Sequence, residues 1–266
     1  MLTDAHCHPF DLARRFPGAE QERRELGVMA AASACDQEEF ARNEKLALDS
    51  AAENAAPLKL CFAVHPQQPA AENVKMAAME KLLETLDDLA SNGRVAAVGE
   101  CGFDLFNAAF RETEKIQEKI FESQMEIALR YNLPVVIHAR RAAGKIFAYS
   151  ARLAKSRAVV FHSWPGTYEE SQALLRRGVN ALFSFGNTVL NGHKHAIRCC
   201  SLLPAERLMT ETDAPYQPVK TEDFSRYSNL PQIIETIAAW RAEAGKNISA
   251  EQLETQIEEN FRGVFC

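Results

Sequence analysis

The sequence lacks long apolar runs and the marks of an exported protein. No stretch of about 18 uncharged apolar residues occurs, so we expect no transmembrane span. The opening residues, MLTDAHCHPF, lack the basic segment followed by an apolar run that is typical of a secretory signal. The 7 cysteines are scattered and form no CxxC pair, which favours reduced thiols over a disulfide framework. These absences predict a cytoplasmic protein without membrane attachment.

Excess positive charge is absent as well, since the formal net charge is −6. This acidic balance argues against a protein that coats nucleic acid electrostatically. It does not exclude an enzyme that acts on phosphates, because bound divalent cations reverse the local charge. The chain also has no internal repeat, low-complexity segment or Pro/Gly/Ser linker. We therefore expect one domain over residues 1–266, and the sequence implies no obligate protein partner.

What the sequence does contain is a regular alternation of short apolar runs and longer amphipathic stretches. Strands are predicted at 2–6, 28–35, 58–64, 95–100, 134–138, 159–162, 181–185 and 208–213. Helices are predicted at 36–54, 71–91, 111–131, 142–155, 168–177, 193–200, 230–244 and 250–260. Eight apolar strands alternating with helices are typical of an α/β protein with the (β/α)₈ TIM-barrel fold. A doubly wound open sheet is the competing arrangement.

Residues that can bind metal follow the predicted strands at their carboxyl ends. In a barrel these ends surround one cup, where barrel enzymes place their catalytic groups. The pattern therefore predicts that side chains from five strands converge on a metal site. They are His6, His8, Glu100, His138, His162 and Asp213.

The first two motifs are weak when taken alone. His6 and His8 share a strand face because side chains alternate with period two, so both imidazoles can reach one ion. Two ordinary histidines are an equally good interpretation of the isolated pattern. Glu100 ends an apolar run, where a carboxylate must be solvated, paired or metal-bound, and a structural salt bridge is the alternative. Because a carboxylate has two oxygens, Glu100 is the natural bridging ligand of a two-metal site.

The motifs at the fifth, sixth and eighth strands are more informative because of where they lie. For His138 or His162 alone, a hydrogen-bonded core histidine is the better interpretation, but their place at successive strand ends favours a second metal position. Glu211 and Asp213 share a face by the same period. We expect Asp213 to be a ligand and the proton acceptor. Glu211 should lie one layer deeper and orient a ligand, with a buried ion pair as the alternative.

Two further side chains are candidates for substrate binding. His65 ends the third strand and could contact a phosphate oxygen, although a partly exposed histidine before Pro66 is an equally good interpretation. Arg140 lies two residues beyond His138, and a guanidinium fork suits phosphate; a solvated surface arginine is the alternative. The remaining candidates are expected at the surface or in the core: His193 and His195 at the surface, and Cys7, Cys61 and Cys101 in the core.

The motifs DAHCH, GECGFD, VVIHAR, VVFHSW and TETDAP, in this order, resemble those of the TatD family of metal-dependent deoxyribonucleases, part of the amidohydrolase superfamily. NLP at 229–231 and ENF at 259–261 are similar to family positions as well. The resemblance departs at 163–166, where SWPG replaces a Cys-Phe-Ser-Gly-like turn, and after strand eight, where basic residues are few. It implies a barrel of the metallo-dependent hydrolase type that cleaves phosphodiester bonds, with DNA as the substrate.

The resemblance also implies how the residues share the ions. His6, His8 and Asp213 would hold one divalent ion, His138 and His162 the other, and Glu100 would bridge them. The ions would be Mg²⁺, Mn²⁺ or Zn²⁺, since imidazole favours zinc or manganese and carboxylates suit magnesium.

With such a site, a water activated by two metal ions would attack the substrate, and Asp213 would accept the proton as the general base. Two other functions are compatible with the sequence. The first is an amide or ester hydrolase of the deacylase type that uses the same residues. The second is a barrel that binds metal or ligand without turnover, which the complete ligand set disfavours.

Overall fold

A computed structural model describes residues 1–71 and 76–266 of the chain. Its strands are β1 (Thr3–Cys7), β2 (Met29–Ala34), β3 (Leu58–Phe62), β4 (Ala97–Asp104), β5 (Val135–Arg140), β6 (Val159–Phe161), β7 (Ala181–Phe185) and β8 (Leu208–Thr210). Its α-helices are α1 (Pro9–Arg15), α2 (Ala19–Glu25), α3 (Gln37–Ala52), α4 (Met76–Ser91), α5 (Ala108–Glu112), α6 (Glu114–Arg130), α7 (Ala143–Ala148), α8 (Ser150–Leu153), α9 (Tyr168–Arg176), α10 (Asn187–Leu190), α11 (Lys194–Leu202), α12 (Leu230–Glu243) and α13 (Ala250–Phe265).

The strands are parallel and pair in chain order from β1 to β8. The eighth strand returns to the first, because the Thr210 hydroxyl donates to the Thr3 carbonyl at 2.9 Å. Just beyond, the backbone N–H of Asp213 donates to the His6 carbonyl at 2.9 Å. These bonds bring the first and last strands together. The predicted (β/α)₈ barrel is therefore confirmed, and the doubly wound alternative is wrong.

The strands are buried on both faces, which explains their nearly continuous apolar sequence. In β6, Val160 packs with the cluster inside the barrel, while Val159 and Phe161 pack with the layer beneath the helices. Phe261 and Phe265 of α13 join the inner cluster near the amino ends of the strands. The carboxyl ends remain open for a site. Among the described residues, no helix combines the length and apolarity needed to cross a membrane.

Most strand bounds differ from the prediction by one or two residues, and two differences change the description of the site. β4 continues beyond Glu100 to Asp104, since residues 101–104 pair with 137–140 of β5 after an irregularity in register. Gly102 hid this continuation in the sequence: its φ is +132°, and a Cβ there would lie 2.2 Å from the His138 carbonyl oxygen. β8 ends at Thr210, so the period-two argument for Glu211 and Asp213 does not apply to their actual backbone.

The observed helices agree with the predicted ones in position more than in length. Short helices α1 and α2, at residues where no helix was predicted, carry only a few apolar side chains each. The helix predicted at 142–155 is two short helices, α7 and α8. Of the helix predicted at 71–91, the segment Met76–Ser91 is helical, and residues 72–75 lie outside the described residues.

Candidate metal centre

A cleft of ≈ 870 Å³ opens at the carboxyl ends of the strands. Most of the predicted site residues line it, and His6 and Glu211 lie beneath it, wholly buried. The structure therefore brings the predicted set together. The residues that line the cleft are His8, His65, Glu100, His138, Arg140, His162 and Asp213.

Glu100 lies at the centre of the cluster, and its two carboxylate oxygens face different histidine pairs. Oε1 is 2.5 Å from Nδ1 of His138 and 2.7 Å from Nε2 of His162. Oε2 is 3.1 Å from Nε2 of His6 and 3.7 Å from Nε2 of His8. One carboxylate therefore lies between two groups of histidine nitrogens.

Asp213 completes the group around His6 and His8. Its Oδ1 lies 3.4 Å from Nε2 of His6 and 3.5 Å from Nε2 of His8. Its Oδ2 accepts a hydrogen bond from Nε2 of Gln217 at 2.6 Å. One carboxylate oxygen is thus directed to the histidines, while the other is held by an amide.

Each of the four clustered histidines has a polar side chain near its other ring nitrogen, within hydrogen-bond distance for His6 and His138 and within ion-pair distance for His8 and His162. Such outer partners fix the tautomer of metal-binding histidines and direct the remaining nitrogen inward. Nε2 of His138 is 3.1 Å from Oδ2 of the buried Asp104. The other contacts are Ser33 Oγ to His6 Nδ1 at 3.1 Å, Glu39 Oε1 to His8 Nδ1 at 3.8 Å, and Glu211 Oε1 to His162 Nδ1 at 3.6 Å.

Glu211 lies deeper than the cluster, at the level where the sequence predicted it. Its Oε1 accepts hydrogen bonds from the backbone N–H and the hydroxyl of Ser163, at 2.7 and 2.5 Å. Trp164 is buried and donates to Ser171 at 2.8 Å. A Cβ on Gly166 would lie 2.2 Å from the Trp164 ring, so this turn needs glycine. The SWPG segment therefore forms a packed turn that holds Glu211 next to His162.

His65 faces the cluster as a donor. The backbone N–H of Gln67 donates to its Nδ1 at 3.2 Å. In a neutral imidazole the proton is then on Nε2, which lies 3.3 Å from Oε1 of Glu100. Burial lowers the pKa of His65 and so favours this neutral form. His65 therefore faces the cup, as predicted; that it does not bind metal stays a prediction, since its ring also lies close enough to Glu100 and His138 to share an ion with them.

Arg140 is at the edge of the cleft, with 47% of its side chain exposed. Its Nη1 is 3.9 Å from Oδ2 of Asp104, and its guanidinium lies 3.7 Å from the centroid of the Phe106 ring. The N–H donors of the guanidinium are therefore largely available to a ligand. His193 and His195 are exposed, as predicted, but they also line the cleft.

The electrostatics of the cluster favour cations between the carboxylates and the imidazoles. Burial raises the pKa of Glu100, but His162 and the neighbouring histidines hold it well below its usual range. Burial lowers the pKa of His8, but hydrogen bonds to Asp213 and Glu39 raise it to about 10. Inward-facing nitrogen and carboxylate oxygen atoms are the ligands that divalent transition metals take. The residues present therefore fit a metal centre.

Some residues of the site are missing from the sequence-based prediction. Asp104 stands in the GECGFD segment, but the strand was predicted to end at Glu100, so its contact with His138 was not foreseen. Gln217 follows β8 in a loop without periodicity, and no pattern marked it. Cys7, Cys61 and Cys101 are buried, as predicted.

Comparisons with known proteins decide the family. The profile described as TatD related DNase matches residues 3–266. The chain belongs to this family. The resemblance found in the sequence is thereby confirmed, and the chain is a metal-dependent hydrolase of the TatD type.

Individual relatives agree with this assignment. The 3'-5' ssDNA/RNA exonuclease TatD of Pantoea vagans is 33% identical over 209 residues, which cover 76% of this chain and 75% of the relative. The uncharacterized metal-dependent hydrolase YjjV of Escherichia coli K12 is 31% identical over 237 residues, covering 87% and 85%. The crystal structure of YjjV, a TatD homolog, superposes with a TM-score of 0.82 at 25% identity, covering 99% of this chain and 97% of that chain.

Proposed function

We propose that this TatD family member hydrolyses phosphodiester bonds of DNA or RNA with the help of two divalent metal ions. The observation that carries the proposal is the position of Glu100. Its Oε1 lies within 2.7 Å of His138 and His162, while its Oε2 is nearest to His6 at 3.1 Å. Two groups of nitrogen ligands on opposite oxygens of one carboxylate suit two ions with a shared ligand.

The roles follow from which atoms face each other. His6, His8 and Asp213 would hold one ion, His138 and His162 the other, with Glu100 between them. Zn²⁺ and Mn²⁺ suit the imidazoles, and Mg²⁺ suits the carboxylates. When bound, such ions lower the pKa of water and neutralise charge on phosphate oxygens.

The side chains supply the remaining steps. Asp213 accepts a proton from the water that attacks phosphorus, while Gln217 holds the second carboxylate oxygen in place. The bond from phosphorus to the leaving sugar oxygen breaks, and the proton passes from Asp213 to that oxygen. His65, through Nε2–H, and the Arg140 guanidinium donate to the non-bridging phosphate oxygens.

The name of the Pantoea relative supports single-stranded DNA or RNA as the substrate class. The test compares chelated protein with protein reloaded with Mg²⁺, Mn²⁺ or Zn²⁺. Each preparation is assayed on single-stranded DNA, RNA, an aminoacyl ester and a simple amide. We expect cleavage of a nucleic acid by the loaded forms and none by the chelated form. Full activity without metal, or turnover restricted to the ester or the amide, would overturn the proposal.

A further inference from the structure

Exposed aromatic rings stand near the mouth of the cleft. Among the residues that the structure describes, the exposed large apolar side chains are Met1, Leu48, Phe106 and Tyr216. Tyr216 lines the cleft, and its ring centroid is 5.3 Å from that of His8. Phe106 lies under Arg140, which also lines the cleft. Single exposed rings are ordinary on a protein surface, and what distinguishes Phe106 is the set of charged groups around it.

Guanidinium groups surround Phe106. The Cζ atoms of Arg140 and Arg141 lie 3.7 and 4.6 Å from the centroid of its ring. Arg111 donates through Nη1 to the backbone carbonyl of Phe106 at 3.3 Å, and so does Arg141. Three like charges are thus gathered at one edge of a chain whose net charge is −6. We call Phe106, Arg111, Arg140 and Arg141 the arginine rim.

Most N–H donors of the arginine rim are available. A guanidinium has five donors, and in the part of the chain that the structure describes Arg111 and Arg141 form hydrogen bonds through Nη1 only. Within the described ranges 1–71 and 76–266, neither of them forms an ion pair with a carboxylate. Among the described residues, the one carboxylate within ion-pair distance of Arg140 is Asp104, at 3.9 Å. Because like charges held together repel, an anion among them is favoured, and phosphate fits guanidinium well.

We propose that the arginine rim binds a single-stranded nucleic acid beyond the bond that is cleaved. Arg140 belongs to both the cleft and the rim, so a strand that leaves the cleft there passes next to Arg141 and Arg111. Proteins hold single strands with two kinds of contact. Positive side chains bind the phosphates, and exposed rings or guanidinium planes next to them stack on the bases. This inference rests on the proposed function, because it states how the same substrate is held outside the metal centre.

The first experiment measures binding without turnover. A fluorescent single-stranded DNA oligonucleotide is titrated in chelator, and anisotropy is read over a range of salt concentrations. The variants are Arg111→Gln and Arg141→Asn. The φ of Arg141 is +54°, a conformation that asparagine tolerates, so its backbone should not change. Arg157→Gln is the matched control, since Arg157 is exposed and precedes β6 at the opposite end of the barrel.

We expect each rim variant to weaken binding about 10-fold, the loss of one charge-assisted hydrogen bond. The slope of log affinity against log salt should become shallower by about 0.7 per arginine. Phe106→Leu should weaken binding as well, because the ring supports two guanidinium groups. Arg157→Gln should bind like wild type. Equal affinity of all the proteins, or no binding by wild type, would overturn the proposal for the rim.

A second experiment separates this proposal from the proposed function. Metal-loaded wild type, Arg111→Gln and Arg141→Asn are assayed on the oligonucleotide and on bis(4-nitrophenyl) phosphate, whose single phosphate cannot extend to Arg141. Phe106→Leu is left out, because the ring also supports Arg140, which contacts the phosphate of either substrate. We expect KM to rise on the oligonucleotide alone. Equal losses on both substrates would contradict the rim. Rim-dependent binding by a protein that cleaves no phosphodiester would instead contradict the proposed function and leave the rim in place.

Discussion

The floor of the cleft and the arginine rim are built in opposite ways. On the floor, buried imidazoles and carboxylates face one another, and outer partners such as Asp104 fix their orientation. On the rim, exposed guanidinium groups rest on one ring and keep most of their donors free. The floor is therefore suited to one geometry, as metal and proton transfer require, and the rim to a flexible chain. Damage to the floor should affect ions or turnover, and damage to the rim should affect affinity.

The largest effect should come from Asp213→Asn. The variant keeps an oxygen toward His6 and His8 but loses the proton acceptor. We expect it to retain most of its metal and to lose turnover by about 10²–10⁴-fold. Metal content and kcat are measured together. Near-normal turnover with metal bound would show that Asp213 is not the base.

Asp104→Ala should damage both regions, because Asp104 connects them. Its Oδ2 contacts His138 at 3.1 Å, and its Oδ1 accepts from the backbone N–H of Phe106 at 2.9 Å. We expect metal affinity to fall about 10–100-fold, as for other outer partners of ligands. Oligonucleotide binding in chelator should fall as well. Asp104→Asn keeps a side-chain acceptor and is the control. If Asp104→Ala matches wild type in both assays, Asp104 does not connect the floor and the rim.

Arg140→Ala should distinguish the role of the rim from that of the floor, because it should reduce activity on DNA without changing metal binding. The guanidinium serves the phosphate in our account, so kcat/KM on DNA should fall about 10-fold while metal content stays unchanged. Calorimetric metal titration beside DNA kinetics checks this. Loss of metal in the variant would place Arg140 with the floor, and unchanged kinetics would remove its role.

We expect the smallest effect in the pH dependence of stability of the metal-free protein, measured in chelator. The pKa of His8 is raised to about 10, above its ordinary value, by Asp213 and Glu39 against the opposing effect of burial. Its contribution to stability is therefore complete below about pH 6.5 and is lost as the pH rises toward 10. We expect the free energy of unfolding in chelator to fall over this range, and less so in His8→Ala. Identical pH profiles for the two proteins would contradict this contribution.

The floor could be predicted largely from the sequence, because each proposed ligand follows or interrupts an apolar run whose burial the pattern reveals. His138 follows Val-Val-Ile, and His162 follows Val-Val-Phe. A barrel then brings such strand ends together, independently of the conformation of the loops that follow them. Glu100 was found by the same argument, although β4 continues beyond it to Asp104.

The rim and the outer partners could not be predicted in this way. Arg111 and Arg141 are ordinary exposed arginines in the sequence, and only the course of the loop around Phe106 gathers them. Gln217 lies in a loop, has a φ of +51° and donates to Asp213. No periodic pattern in the sequence predicts this contact. Contacts between loops depend on tertiary packing, and a single sequence records few signs of it.

The central claim is that Glu100 is shared by two divalent ions. Elemental analysis of metal-loaded wild type and Glu100→Ala, with kcat on single-stranded DNA for both, tests it most directly. Our account predicts two ions per chain in wild type. In Glu100→Ala it predicts a lower stoichiometry, with the ion at His138 and His162 lost first, and little turnover. A variant that keeps both ions and cleaves DNA at the wild-type rate would contradict it.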